Sequence, residues 1–316
     1  FAPTPTGRLH LGNARTALLS WLAAAATGRR NVLRVEDLDP AAMPEGCMAE
    51  QLADLAWLGL TWDEGPAEGG PVGPYRQSER SALYAEALQA LNALGVLYPC
   101  WCSRREVREA SRAPHASDEG PVYAGTCRPS APTVWPDLTA LPRRRGRVPA
   151  LRLDVAAALA RLGVAGPFRF DDLAAGPQAV ELAAAMGDFV VRRTDGIAAY
   201  QVACSIDDAY MGCDLVVRGA DLLASAARQL LILRLLGLPE PAYAHVGLVL
   251  APDGTRLAKR DGAIALATLR EAGEDPGAVR ARLAASAGLP ATGDLAALVA
   301  AFRVEGLSAD SVRLPA

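Results

Sequence analysis

The sequence predicts an α/β fold, a parallel sheet with helices that is split by an insertion. Short apolar runs of strand length alternate with amphipathic stretches of helical period, the pattern of a parallel sheet. That alternation lapses between about residues 96 and 187, where Cys, Pro, Arg and Gly rise, and then resumes. The chain has 316 residues, 51% of them hydrophobic and 21% charged. It is long enough for about two domains and apolar enough to bury a core, which excludes wholesale disorder.

The elements follow in order. Phe1–Leu19 (FAPTPTGRLHLGNARTALL) reads as a turn-rich loop shaped by Pro3, Pro5 and Gly7, with a helix beginning near Gly12. Asn31–Glu36 (NVLRVE) reads as a strand, and Glu45–Leu58 and Ser78–Leu94 read as helices. Beyond the lapse, Phe189–Arg193, Ala199–Ile206, Leu215–Arg218 and Ala244–Leu250 read as strands, with a long helix at Asp221–Leu236. After Ala263 only helical patterns remain, broken by Gly273, Pro276, Gly288, Pro290 and Gly293. The predicted divisions are therefore 1–95 and 188–250 for the two halves of the sheet domain, 96–187 for the insertion, and 251–316 for a basic loop with a helical C-terminal region. Alanine tracts such as Ala156–Ala160 favour helix but carry no chemistry.

Composition excludes several function classes. Lys plus Arg number 32 against 35 Asp plus Glu, so a net charge of −3 does not describe a polybasic nucleic-acid coat. Aromatics at 5% argue against a stacking groove for single strands. The longest apolar runs, Trp21–Ala26 and Gln229–Leu238, fall short of the roughly 20 residues a membrane span needs, and Arg234 interrupts the second. The chain opens on Phe1 without a methionine or a basic-then-apolar leader, and is expected to begin inside a longer sequence. Six cysteines in such a chain do not read as a disulfide framework, and the expected location is the cytoplasm.

Three patterns carry chemistry. His10, Gly12 and Asn13 sit where a helix begins, and a helix N-terminus offers amide hydrogens and a positive dipole end to a polyphosphate; the bland alternative is a capped helix. Asp253–Gly262 (DGTRLAKRDG) sets Arg256, Lys259 and Arg260 in a glycine-bounded loop, either a solvated basic turn or a segment that stabilises charge during phosphoryl chemistry. Cys100-Trp101-Cys102 with Tyr123 and Cys127 offers four ligands for a tetrahedral zinc, with His115 competing for the fourth position. Cys47, Cys204 and Cys213 read as small core residues. Arg104, Arg105, Arg108 and Arg112, and the run Arg143, Arg144, Arg145 and Arg147, read either as solvated surface or as phosphate contacts for a nucleic acid.

Taken together, FAPTPTGRLHLGN, LRVEDLDP, YQVACSIDDAYMG, VVRGADLL and TRLAKRDG occur in the order found in class I glutamyl-tRNA synthetases, which the chain resembles over about residues 1 to 265. The resemblance implies a Rossmann-like catalytic domain of class I aminoacyl-tRNA synthetase type, split by a zinc-bearing insertion, with a short helical C-terminal region. It implies that His10, Gly12, Asn13, Arg256 and Lys259 handle ATP, with Mg, and that His10, Asn13 and Lys259 are the catalytic set. It places Phe1, Ala2, Pro3, Thr4, Glu36, Tyr200 and Arg218 around L-glutamate, with Glu36 on the amino group, and Cys100, Cys102, Tyr123 and Cys127 around one structural zinc. By themselves Tyr200 reads as core, Arg218 as a surface charge and Glu36 as a strand-end carboxylate. Asn13 stands where HIGH has its second histidine, Arg256 where KMSKS often has lysine, and Ala258 where it has serine. The family pattern also has an arginine directly before the position of Phe1.

The Asp-Pro ending of RVEDLDP and the cysteine pattern at 100–127 resemble a short branch of that family. After Gly262 only 54 residues remain, too few for a separate anticodon-binding domain. Members of this branch join glutamate to the queuosine base in the anticodon of tRNA(Asp), whose cyclopentenediol resembles the ribose cis-diol of a tRNA 3′ end. The resemblance therefore implies a ligase with glutamate, ATP and queuosine-bearing tRNA(Asp) as partners. The alternative is the catalytic part of a glutamyl-tRNA synthetase charging tRNA(Glu). More distant rivals are a nucleotidyltransferase of the same HxGH superfamily and a zinc-bearing RNA-binding module without catalysis.

Overall fold

The computed structural model describes residues 1–110, 122–250 and 265–313. The first part contains α1 (Leu11–Thr27), α2 (Cys47–Trp57), α3 (Ser81–Ala93), β1 (Leu97–Cys100) and α4 (Arg104–Ala110). Next come β2 (Ala150–Leu153), α5 (Val155–Arg161), β3 (Phe168–Asp172), β4 (Gly176–Val180), α6 (Leu182–Ala185) and β5 (Phe189–Arg192). Then follow α7 (Tyr200–Tyr210), β6 (Leu215–Gly219), α8 (Leu223–Leu236), β7 (Ala242–Val246) and β8 (Val249–Leu250). The chain continues with α9 (Leu266–Glu271), α10 (Pro276–Ala285), α11 (Leu295–Ala301) and β9 (Val312–Arg313).

The parallel pair β6–β7 organises the site. Its register sets Val216 beside Tyr243, Val217 beside Ala244 and Arg218 beside His245. Side chains alternate faces along a strand. Val217, Ala244 and Val246 accordingly join one apolar cluster with Ala14, Ala17, Leu18 and Leu22 of α1. Tyr243 joins the other with Ala226, Leu230 and Leu231 of α8. Small residues on α1 let that helix approach the sheet, and α8 is buried along most of its surface. β3 adds to β7 in parallel at Asp172, and β4 folds back antiparallel because only Leu173–Ala175 connects it to β3. The chain is thus a mixed α/β protein with a parallel sheet at its centre.

A second sheet, β1–β2–β5, is antiparallel and combines two strands from within the expected insertion with one from just after it. Leu91, Leu97, Leu151, Phe168, Val191 and Ile232 share one core with Tyr243, so both sheets pack into the same apolar mass. Among the described residues no helix is long and apolar enough to cross a membrane.

Four expectations change. Residues 199–206 are not a strand, because Tyr200–Tyr210 is helical. The alternation of Val202, Cys204 and Ile206 imitated a strand, while the buried, paired Asp207 and Asp208 hid the helical pattern. Asn31–Glu36 is extended, but its parallel bridges are isolated ones, Val32 to Glu64 and Val35 to Arg76. Its backbone also follows the N-terminal segment, with amides of Arg34 and Glu36 donating to carbonyls of Phe1 and Pro3. Pro3 lacks the N–H that would return a bond and continue the ladder. The run 244–250 divides into β7 and β8, and the C-terminal region contains a strand, β9, paired in parallel with β8. Gly247 allows this: a Cβ there would lie 1.7 Å from the Asp310 carbonyl oxygen, so only a residue without a side chain admits the tail.

Candidate active site

A cleft of about 1120 Å³ opens along the N-terminal segment, the start of α1 and the carboxyl end of β6. Ligand crevices of open α/β sheets lie outside the carboxyl ends of their strands. The first four residues, Phe1, Ala2, Pro3 and Thr4, line it together with His10, Gly12, Asn13, Glu36, Tyr200 and Arg218. All the glutamate residues expected from sequence therefore meet in one place, with the described part of the ATP set.

At the start of α1, His10 is the N-cap. Its Nδ1 accepts from the amides of Gly12 (3.1 Å) and Asn13 (3.3 Å), while the Asn13 Oδ1 accepts from the His10 amide at 3.2 Å. An Nδ1 that accepts leaves the hydrogen of the neutral ring on Nε2, so the imidazole is held as a donor of one defined tautomer. The same residue thus caps the helix and lines the cleft. A Cβ on Gly12 would sit 2.9 Å from the His10 Cε1, which gives this glycine a steric reason.

Behind the cleft lies a buried charge cluster. Arg34 contacts Asp208 at 2.6 Å, Glu36 at 3.3 Å and Asp207 at 3.6 Å, and Arg80 contacts Asp207 at 2.6 Å. Gln77 and Tyr84 also donate to Asp207. Burial works against the Arg34 charge, but Asp208, Asp207 and Glu36 outweigh it and hold the guanidinium well above its usual pKa. Two arginines face three carboxylates, leaving a surplus negative charge. Glu36, which lines the cleft, also accepts from the Thr4 hydroxyl at 3.1 Å and from the Cys204 thiol at 3.0 Å. Burial, then Glu36, pushes the Cys204 thiol well up, so it is a neutral donor; burial likewise keeps the Tyr200 phenol neutral.

Arg218 supplies the opposite charge. It is 9% exposed, far from the surface residue its sequence setting suggested. Its Nε donates to the His245 Nε2 at 2.9 Å, one terminal nitrogen donates to Gln229 at 2.7 Å, and the guanidinium lies over the Tyr243 ring. Among the described residues Arg218 has no ion-pair partner. A buried cation and a surplus anion thus line one cleft, and a zwitterion with an additional carboxylate complements both.

Lys259 and Arg256, with Ala258 and Arg260, lie outside the described residues, as do His115 and Arg112. The flanks of the basic segment are placed: Val249 lines the cleft, and Ala265 bridges to His10 while the Leu266 amide donates to the Leu9 carbonyl.

The cysteine cluster is a separate place. Cys100, at the end of buried β1, Cys102 and Cys127 bring their sulfurs within 4.8 Å of one another. The Tyr123 hydroxyl is 3.3 Å from the Cys100 sulfur and 3.5 Å from that of Cys102, and Cys102 and Cys127 are 3.6 Å apart. A tetrahedral zinc with sulfur ligands at about 2.3 Å sets them about 3.8 Å apart, so this donor set fits such an ion. Burial pushes the Cys102 thiol up to about 11 and raises Tyr123 as well. Burial also opposes ionisation of Cys127, but hydrogen bonds from Tyr123 and the Trp101 backbone prevail and lower it. Near this cluster Arg104, Arg105 and Arg108 are exposed on α4, and Arg143, Arg144, Arg145 and Arg147 are exposed. Arg144 stacks on Trp101 and Arg147 pairs with Glu106.

Sequence reasoning missed Arg34, Asp208, Cys204, Cys213, Asp172, Gln229 and His245. Cys204 and Cys213, read as core, both line the cleft. The available signal was the pair Asp207-Asp208 in an apolar stretch, since buried carboxylates need partners. His245, alone in AYAHVGLVL, gave no comparable sign.

The fold and this site define a class I aminoacyl-tRNA synthetase core. The chain belongs to the family described as tRNA synthetases class I (E and Q), catalytic domain, which it matches over residues 1–295. Within it, a protein named glutamyl-Q tRNA(Asp) synthetase from Symbiobacterium thermophilum is 48% identical over 320 residues, covering 100% of this chain and 95% of its own. A glutamate–tRNA ligase 2 from Alkalilimnicola ehrlichii is 44% identical, covering 97% of this chain but 63% of its own. The solved glutamate-tRNA synthetase of Elizabethkingia anophelis superposes with a TM-score of 0.81 at 26% identity, over 100% of this chain and 67% of that one.

Proposed function

We propose that the cleft joins L-glutamate to ATP as glutamyl-adenylate, releasing pyrophosphate, and then transfers the glutamyl group to the queuosine base in the anticodon of tRNA(Asp). The observation that carries the reading is the paired charge imbalance, a surplus anion at Glu36 and a cation at Arg218 with no ion-pair partner among the described residues, in the cleft that His10 borders. Glu36 binds the amino group and Arg218 a carboxylate, with Tyr200 and residues 1–4 completing the pocket. His10 donates from Nε2 to ATP phosphates, Gly12 and Asn13 keep that ring in place, and Arg256 and Lys259 supply positive charge where negative charge grows on the α-phosphate. A glutamate carboxylate oxygen attacks the α-phosphate and pyrophosphate leaves. A hydroxyl of the cyclopentenediol then attacks the mixed anhydride, and AMP leaves.

The division into sheet-domain halves 1–95 and 188–250, insertion 96–187 and C-terminal region 251–316 is part of this reading. So is one structural zinc held by Cys100, Cys102, Tyr123 and Cys127; it would lock the insertion, since none of the four lines the cleft. The cytoplasm, where tRNA and ATP are available, is the proposed location.

Pyrophosphate exchange dependent on glutamate, without tRNA, tests activation, and replacing Lys259 with alanine should lower its rate at saturating substrates. Glutamylation should require queuosine, survive removal of the terminal adenosine, and be blocked by periodate, which destroys vicinal diols. Glutamate found on the 3′-terminal ribose would replace this reading with tRNA(Glu) charging.

A further inference from the structure

Arg218 is held by a buried chain that no sequence motif announced. Asp172, His245 and Arg218 stand at or next to the carboxyl ends of β3, β7 and β6, adjacent strands of one sheet, so the topology lines them up. Asp172 and His245 are 3% and 0% exposed.

The hydrogen bonds have only one consistent direction. Arginine Nε can only donate, so the His245 Nε2 must accept from it at 2.9 Å. The ring's hydrogen is then on Nδ1, which faces the Asp172 Oδ2. The other Asp172 oxygen is fully committed: Oδ1 accepts from the amides of Ala174 (3.0 Å), Ala175 (2.8 Å) and His245 (3.1 Å). The loop after β3 thus fixes the carboxylate, the carboxylate fixes the imidazole tautomer, and the imidazole fixes the guanidinium plane. His10 is held in the opposite tautomer, with its Nδ1 accepting.

We infer that Asp172 and His245 are positioning residues for amino-acid binding, setting the Arg218 guanidinium so that its remaining donors meet a substrate carboxylate. The inference rests on Arg218 being the carboxylate-binding residue of the proposed function. It makes a specific claim about Asp172→Asn, which keeps size and shape. Three backbone amides require an oxygen at the Oδ1 position, so the new NH2 must face the His245 Nδ1. The ring hydrogen then moves to Nε2 and confronts the Arg218 Nε–H, donor against donor. His245→Gln places a carbonyl oxygen near the former Nε2 and keeps an acceptor for Arg218 without depending on residue 172.

The test is glutamate-dependent pyrophosphate exchange by the whole chain, with KM and kcat determined for glutamate and ATP in D172N, H245Q, D172N/H245Q and R218A. D172N should raise the glutamate KM about 10- to 100-fold, the effect of a misdirected charged hydrogen bond, with the ATP KM unchanged. H245Q should stay within a few-fold, and the double variant should recover towards it; a simple packing role predicts additive damage. If R218A raises the glutamate KM and D172N does not, the relay is wrong. If R218A leaves it unchanged, the Arg218 assignment itself falls, and the relay with it. Nitrogen-15 spectra of the wild-type protein, which has three histidines, give an answer even where a variant fails to fold. His245 protonated on Nε2 at neutral pH overturns the inference, and protonation on Nδ1 alone supports it.

Discussion

Replacing Glu36 with glutamine removes one charge from the cleft while keeping the side chain's shape. The native carboxylate accepts from Thr4, Cys204 and Arg34 and is 7% exposed, so a substrate ammonium meeting it is largely dehydrated. A hydrogen bond to a charged group contributes about 1.5–3 kcal/mol, and about 1.4 kcal/mol corresponds to a tenfold change in binding. The glutamate KM in pyrophosphate exchange should therefore rise about 10- to 150-fold. Stability should change little, because Arg34 keeps its 2.6 Å contact with Asp208 and its approach to Asp207. The assay varies glutamate at saturating ATP and then ATP at saturating glutamate, with a melting curve for each protein. A glutamate KM within twofold of wild type, or an equal rise for ATP, would refute the assignment of Glu36 to the amino group.

The remaining predictions concern the buried charges, the α1 cap, His245 and the cysteine cluster. Asp207→Ala should destabilise the fold by about 3–5 kcal/mol in denaturant titrations, because Arg80, itself buried, loses its 2.6 Å counter-charge; a change below about 1 kcal/mol would mean that water reaches it. Gly12→Ala should displace the His10 ring, costing about 1 kcal/mol of helix capping and lowering the exchange rate at saturating substrates, since its Cβ would lie 2.9 Å from that ring. Burial, together with Arg218, lowers the His245 pKa despite the neighbouring Asp172, and the Leu222 carbonyl is its other neighbour. The folded value lies below 6.5, so the neutral ring's contribution is fully present above pH 6.5 and is lost as the pH falls towards the folded value. Melting temperature should then fall more steeply below pH 6.5 in wild type than in H245Q. Cys127→Ser should abolish a stoichiometric zinc measured by atomic emission, and should impair transfer to tRNA more than activation; equal losses would contradict a local role for the metal.

Much of the site was legible because its parts are short and local. The cap formed by His10 and Asn13 spans one helical turn, so spacing alone placed both groups at one helix end. The residue types of Cys100, Cys102, Tyr123 and Cys127 singled out a group that the structure brings together. Periodicity located most helices, because α2 and α3 bury one face and expose the other. It failed at Tyr200–Tyr210, where buried aspartates occupy positions that a hydrophobic pattern leaves to solvent.

Charge compensation and tautomer were decided only by the tertiary structure. Arg34 and Asp208 are 174 residues apart, and Asp172 and His245 are 73 apart. Neither pair has any local spacing to reveal it. The sequence by itself determined which ionisable groups the chain would carry and which residues would cap the helix end that lines the cleft. Whether Arg218 is a solvated surface charge or a buried, oriented cation depended on which strands became neighbours. Burial makes an unpaired charge costly and gives a hydrogen bond only one workable direction, and burial exists only once distant segments pack together.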